Sequence, residues 1–291
     1  MMNITAKTKK LGIIGFPVEH SFSPKMHNYI SDKLGNDYIY TGFTVAPDSL
    51  GDAVRGIRAL GMRGVNVTAP HKTEVMQYLD RVDPRAKRLG SVNTVVNDNG
   101  VLTGYNTDSD GFFAALRHSG IEVRGKRVLV MGCGGVAKPT LMRMTEESPC
   151  SVTLMNRTKS KAEVMADEIY RETGFKIETD PAELGFDVVI NMTSAGMEPQ
   201  EDTLPTELID GLGTMDFIKD GMAAVDMIYN PPKTKFLREA EKRGAKILNG
   251  LDMLIYQGII AYELFTGTSL PDGMADDIRR DVFGAAAGVG S

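Results

Sequence analysis

The chain has 291 residues, 42% apolar and 24% charged, with a formal charge of −5. That length and mix provide for two folded domains and exclude disordered and collagen-like classes. The acidic balance, with no basic stripe carrying interleaved aromatics, argues against nucleic acid or a membrane surface as its partner.

Near the N-terminus, Lys7, Lys9 and Lys10 precede an apolar run that Pro17 breaks. The run is too short for a secretory segment, and no stretch reaches the ~20 apolar residues of a spanning helix. Residues 11–16 are predicted to form the first strand. A helix follows from Pro24, where serine at 23 supplies a cap and proline at the first helical position has no donor to lose. The loop between them, within GFPVEHSFSPKMHN (15–28), holds two histidines, two serines and an asparagine, more hydrogen-bonding groups than a simple connection needs. Residues 38–45 read as a strand, 48–60 as an amphipathic helix and 64–68 as a strand. Residues 91–96 and 101–105 flank NDNG, a hairpin signal. A helix over 108–118 runs into the boundary-like GIEVRGK, and a second series begins: strands at 127–131, 151–155, 187–191, 224–228 and 247–248, with helices between them and a long helix over 253–265. This alternation predicts an α/β protein with parallel sheets. The low-complexity tail GAAAGVGS is expected to be loose. Cys133 and Cys150, the only cysteines, stand in no ligand-like spacing with the four histidines. No disulfide framework and no metal site is expected, and the chain fits a reducing, cytoplasmic compartment.

In the second series, Gly132, Gly134 and Ala137 follow a strand in the spacing G-x-G-x-x-A. The first glycine permits a tight turn, the second lets a pyrophosphate approach the backbone, and the small third residue lets helix and sheet pack closely. The helix N-terminus behind them favours an anion. Cys133 in this loop has no basic partner and reads as filler, and Pro139 removes one donor from the helix start. The next strand ends in MNRTKSK rather than in the acid that holds ribose hydroxyls at an NAD site. Arg157, with Asn156, Thr158, Lys159 and Lys161 around it, suits a phosphate monoester, so the cofactor is read as NADP.

The first series places polar groups after strand ends: Ser21 and Ser23; Asn66, Thr68 and Lys72; Ser91, Asn93 and Thr94; Asn106, Thr107 and Asp108. Ligands of open α/β sheets sit beyond the carboxyl ends of the strands, and these groups together suit a small polyhydroxylated acid. Lys72 is expected in the first turn of a helix after Ala69-Pro70, where the dipole opposes its charge and favours proton transfer. Asp108 suits either a helix cap or an acid–base partner. His27 and His71 read as structural.

Nine motifs in order, GFPVEHSFSPKMHN, NVTAPHK, SVNT, GYNTDSDGF, GCGGVAKP, NRTKSK, NMTSAGM, DMIYNP and NGLDMLIYQG, resemble those of the shikimate dehydrogenase family, along nearly the whole chain. The related quinate/shikimate dehydrogenases share most of them, and NRT argues against their NAD-preferring branch. The resemblance implies a substrate domain over 1–107, completed by helices of 253–291, and a Rossmann NADP-binding domain over 108–252. It implies NADPH-dependent reduction of 3-dehydroshikimate to shikimate in aromatic amino-acid biosynthesis, by a cytoplasmic monomer or homodimer.

By motif position, the resemblance gives Ser21 and Ser23 to the substrate carboxylate, and Asn66, Thr68, Asn93 and Gln257 to its hydroxyls. Tyr229 closes the pocket, and Lys72 with Asp108 forms a catalytic pair that also meets substrate. Gly132, Gly134, Gly135, Val136 and Ala137, then Asn156, Arg157, Thr158 and Lys161, then Thr193, Met227 and Gly250, fall to the cofactor. Cys133, Val136 and Pro139 replace the family's usual small residues. A non-enzymatic ligand sensor on the same fold is the reading from another class; the intact Lys72–Asp108 pair speaks against it.

Overall fold

A computed structural model describes residues 4–180 and 184–284; the tail expected to be loose lies, beyond Gly284, outside the described residues. The chain divides into two compact units. Residues 4–111 and Ile255–Gly284 make the first, Phe112–Leu254 the second, and both crossings fall inside helices.

The first unit contains β1 (Lys9–Gly15), α1 (Ser23–Leu34), β2 (Tyr38–Thr44), α2 (Leu50–Ala59), β3 (Gly64–Val67), β4 (Arg81–Val82), α3 (Pro84–Leu89), β5 (Thr94–Asp98) and β6 (Val101–Tyr105). Its sheet runs β2-β1-β3-β5-β6-β4. β1 is parallel to β2 and β3, while β5 is antiparallel to β3 and β6. The hairpin forms as NDNG predicts: Asn99 and Gly100 both take positive φ, 53° and 93°, and Asn97 Oδ1 accepts from Gly100 N at 2.7 Å. One face of the sheet buries Ile14, Val65, Val67 and Val95 against Leu50, Val54 and Ile57 of α2. The other buries Leu11, Ile13 and Tyr40 against Ala261 and Phe265 of α8 (Leu251–Thr266).

At the start of α1 the structure corrects the sequence reading. Phe22 takes the cap position and Ser23 is the first helical residue, with Pro24 beside it in the first turn. Ser21 Oγ accepts from Ser23 N at 3.3 Å, so Ser21 does the work that an Ncap serine does. The predicted helix over 48–60 begins as a 3₁₀ turn, Pro47–Ser49, before α2.

α4 (Asp108–His118) leads into the second unit, with β7 (Arg127–Met131), α5 (Ala137–Glu146), β8 (Ser151–Met155), α6 (Lys159–Thr173), β9 (Val188–Asn191), β10 (Ala223–Asp226), α7 (Lys235–Lys242) and β11 (Lys246–Leu248). The sheet order is β11-β10-β9-β7-β8, all parallel. The strands β7 to β10 are buried end to end apart from the first residues of β7 and β8, as strands covered on both faces must be. Beside β8, Glu178 makes a single parallel bridge to Thr153. Counted as a rudimentary strand, it completes the dinucleotide-binding order 3-2-1-4-5-6, whose direction of winding reverses between β7 and β9.

Candidate active site

In the first unit, the centre of the site is an ion pair. Lys72 Nζ donates to Asp108 Oδ2 at 2.7 Å, and Asn93 Nδ2 donates to Asp108 Oδ1 at 2.8 Å. Lys72 does not open an α-helix. Residues 69–73 form a turn ahead of a 3₁₀ segment, Glu74–Tyr78, so the opposing dipole expected from the sequence is replaced by the Asp108 carboxylate. The backbone of Lys72 is fixed where its carbonyl accepts from Val92 N at 2.8 Å. Asp108 is the first residue of α4, but it does not cap that helix. Asn106 Oδ1 accepts from Asp108 N at 3.1 Å, an Asx arrangement that leaves the aspartate carboxylate to Lys72 and Asn93.

Asn93 is read from sequence as part of a hairpin strand or as a hydroxyl ligand. It stands one residue before β5, and its amide is fully engaged. Nδ2 also donates to Thr107 Oγ1 at 2.9 Å, and Oδ1 accepts from Thr107 N at 2.8 Å and Thr94 Oγ1 at 3.0 Å. Asn66 Nδ2 donates to Asn93 O at 3.2 Å and Thr94 Oγ1 at 3.0 Å, while its Oδ1 accepts from the Tyr40 hydroxyl at 2.7 Å. Asn66 therefore meets a further partner as an acceptor. Ser23 is buried at the start of α1. A continuous chain thus runs Lys72–Asp108–Asn93–Asn66–Tyr40; Ser21 and Ser23 are joined to each other through Ser23 N.

Thr68 follows β3 directly, its N–H bonded to Ile14 O at 2.9 Å. Its methyl lies 2.4 Å from where a Cβ on Gly15 would stand, so a side chain there would displace Thr68. Gln257 is buried on α8, whose backbone closes on Gly111 of α4. Both histidines are structural. His71 Nε2 donates to Val45 O at 2.7 Å, and His27 is fully buried, stacked on Tyr40 with centroids 4.3 Å apart.

In the second unit, the glycine loop lies at the reversal between β7 and β9. Gly132 has φ 107°, and a Cβ there would stand 2.8 Å from Thr193 Cγ2 and 2.9 Å from Met192 O. Gly134 and Gly135 are exposed, Val136 is half-buried, and Ala137 opens α5 with no side-chain cap. Pro139 is the third residue of α5, where the backbone N–H has no intrahelical acceptor to lose. Burial pushes the Cys133 thiol up to about 11, which keeps it protonated and agrees with the filler reading. Asn156 joins two loops: its Oδ1 accepts from Cys133 N at 3.2 Å and its Nδ2 donates to Thr158 O at 3.0 Å. Lys159 is spent on Asp180 at 2.6 Å. Among the described residues, Arg157 and Lys161 carry no ion pair, and they are exposed, as is Thr158.

After β9, Thr193 donates from N and Oγ1 to Asn191 Oδ1 at 3.0 and 2.7 Å. After β10, Met227 and Tyr229 are half-buried, and burial raises the Tyr229 phenol above its ordinary range. Gly250 N donates to Ile228 O at 3.0 Å, and a Cβ on Gly250 would stand 2.2 Å from Met227 O.

These residues fit a phosphorylated dinucleotide. The loop needs glycine at 132 and carries no side chain at 134, an uncapped helix start faces it, and two cations without ion pairs among the described residues stand beyond the neighbouring strand. The first unit offers an ammonium, a carboxylate and neutral acceptors, the set needed to add or remove a proton at a small polyol. Sequence reasoning overlooks Tyr40, which looks like an ordinary strand aromatic, and leaves Asn106, Thr107 and Asn191 without their scaffolding roles, although each stands inside or beside a quoted motif.

The fold and the two donor sets define a class: a two-unit α/β oxidoreductase with a dinucleotide-binding sheet. Family models match residues 13–95 as the shikimate dehydrogenase substrate binding domain and 250–273 as the shikimate 5'-dehydrogenase C-terminal domain. Shikimate dehydrogenase (NADP(+)) of Moorella thermoacetica is 38% identical, the alignment covering 99% of this chain and 98% of the relative. That of Geobacillus kaustophilus is 44% identical over 89% and 93%. A crystal structure of shikimate 5-dehydrogenase from Thermus thermophilus, in complex with NADP(H) and shikimate, superimposes with a TM-score of 0.81 at 34% identity, covering 94% of this chain and 99% of the other. The chain belongs to the shikimate dehydrogenase family.

Proposed function

We propose that this chain is an NADP-dependent shikimate dehydrogenase, reducing 3-dehydroshikimate reversibly to shikimate as a cytoplasmic monomer or homodimer. The observation that carries the reading is the Lys72–Asp108 pair, 2.7 Å apart and oriented by Asn93. Bound NADPH supplies the hydride. As negative charge develops on the carbonyl oxygen, Lys72 Nζ donates its proton there; in the reverse direction it takes the proton from the alcohol. Asp108 balances the ammonium and fixes its direction, while Asn93 holds Asp108 through Oδ1. Asn66 accepts from a substrate hydroxyl at Oδ1, the atom with capacity to spare, and Thr68 and Gln257 complete the hydroxyl contacts. Ser21 and Ser23 hold the substrate carboxylate, and Tyr229 covers the substrate. Gly132, Gly134, Gly135, Val136 and Ala137 hold the pyrophosphate; Asn156, Arg157, Thr158 and Lys161 hold the 2′-phosphate end; Thr193, Met227 and Gly250 line the nicotinamide end.

The test is kcat/KM for shikimate and quinate, each with NADP and NAD. The expected outcome is a strong preference for shikimate with NADP. Comparable turnover of quinate, or a preference for NAD, overturns the assignment of substrate or of Arg157.

A further inference from the structure

Asp226 ends β10 and is fully buried, yet the reaction above gives its carboxylate no task. Three neutral donors hold it: Thr234 Oγ1 on Oδ2 at 2.6 Å, and Asn191 Nδ2 and Ile228 N on Oδ1 at 3.0 Å each. Burial pushes its carboxyl up to about 6, so an acid at this point works against stability where a neutral acceptor would not.

Each donor belongs to a different segment around the proposed nicotinamide end. Asn191, through its other atom Oδ1, holds Thr193 at both N and Oγ1, and the Thr193 methyl lies against Gly132. Ile228 N stands between Met227 and Tyr229, and Ile228 O takes the N–H of Gly250. Thr234 caps α7 through Leu237 N at 3.3 Å and lies 3.0 Å from the position of a Cβ on Gly196, in the loop that follows Thr193. A single carboxylate therefore ties the ends of β9 and β10 and the start of α7 to one point.

We infer that Asp226 is the positioning residue of the nicotinamide end: without touching the cofactor, it fixes the segments that carry Thr193, Met227, Tyr229 and Gly250. The inference rests on the reading of this unit as NADP-binding.

Asp226→Asn tests it in the full chain, because the amide keeps the shape but loses the charge, and the side that carries its NH₂ can no longer accept. Turned to Thr234 it makes the hydroxyl reverse its role, and turned the other way it meets Asn191 Nδ2 and Ile228 N. NADPH affinity, followed by nucleotide fluorescence, and KM for NADP are expected to weaken together by about tenfold, the scale of one buried hydrogen bond left unmade. The value of kcat falls with them, while KM for shikimate stays within about twofold. Thr234→Val removes one of the three donors, together with the cap on Leu237 N, and is expected to give the same NADP-selective pattern at smaller amplitude; it decides the matter where Asp226→Asn fails to fold. Native NADPH affinity and kcat in folded variants that merely melt earlier make Asp226 a structural residue and overturn the inference. Equal loss for both substrates overturns it as well. In either case a wild-type chain that binds NADPH leaves the reading of the unit standing; a wild-type chain that does not bind it removes both.

Discussion

Lys72 and Asp108 lie 36 positions apart in sequence and are brought to 2.7 Å by the turn after β3 and the start of α4. Neither residue needs an unusual backbone to be there. What is unusual is how completely their neighbours are committed: both amide hydrogens of Asn93 and both of Asn66 are used inside the protein. In the proposed reaction the ammonium is the proton source, since the neighbouring amides cannot give a proton to an alkoxide near neutral pH. Lys72→Met keeps the length of the stem and removes the charge. It is expected to lower kcat by roughly 10²–10⁴-fold, the range for a positioned general acid, with KM for shikimate changed only a few-fold. Steady-state kinetics in the oxidation direction would decide it: a kcat within about fivefold of wild type removes the proton-transfer role.

Elements explain how such residues are held, and they also mark the limit of what the sequence reveals. Long apolar runs ending in polar clusters locate the strands well: β7 and β8 fall on the predicted residues 127–131 and 151–155, and the hairpin follows from NDNG. The two-residue β4 and six-residue α3 escape that reading, because periods of 2 and 3.6 need longer stretches to declare themselves. The helix start at Ser23 and the supposed helix at Lys72 are misread for one reason. Local signals name a residue suited to a cap or a first turn, while tertiary partners decide which neighbour fills it, here Phe22 at the cap of α1 and Asp108 beside Lys72. Tyr40 carries no signal, since only folding brings its hydroxyl to Asn66. Gly111 likewise looks like an isolated glycine in a helix. In the structure a Cβ there would stand 2.5, 2.7 and 2.8 Å from N, Cβ and Cα of Gln257, so its absence lets α4 close on α8. Gly111→Ala ought to gain about 1 kcal/mol from helix propensity alone. Overpacking against backbone atoms works against that by roughly 1–3 kcal/mol, and the displaced atoms are those of a proposed substrate ligand. The expected result is a lower Tm and a raised KM for shikimate, with KM for NADP unchanged; a variant as stable as wild type with native KM would show that α8 yields without consequence.

Across the whole molecule, each unit buries an ionisable group without a charged partner among the described residues, and the two respond to pH in opposite senses. In the first unit, His27 has no hydrogen-bond partner at either ring nitrogen among the described residues. The groups ringed about it are Tyr40, Tyr262 and Phe265, all uncharged near neutral pH. Burial lowers its imidazole from 6.5 to about 3. Between those values the unfolded chain binds a proton that the folded chain refuses, so the contribution of neutral His27 is present above pH 6.5 and is lost as pH falls toward 3. In the second unit, burial raises Asp226 from 3.8 to about 6. There the folded chain holds the proton, and the contribution, full below 3.8, is lost as pH rises through 6. Between about pH 4 and 6 the two slopes oppose each other, each bounded by roughly 1.4 kcal/mol per pH unit for one proton. Single substitutions separate them. His27→Phe keeps a ring stacked on Tyr40 and deletes both orphan nitrogens, so its stability relative to wild type should improve steadily as pH falls from about 6.5 to about 4. Asp226→Asn should move the other way, losing ground to wild type over the same acidification because it forgoes the protonated carboxyl. Urea unfolding of the three proteins at half-unit steps from about pH 4 to about pH 7.5 measures both differences. Curves that run parallel for wild type and His27→Phe would mean that His27 takes up a proton in the folded state, and that this buried face admits water.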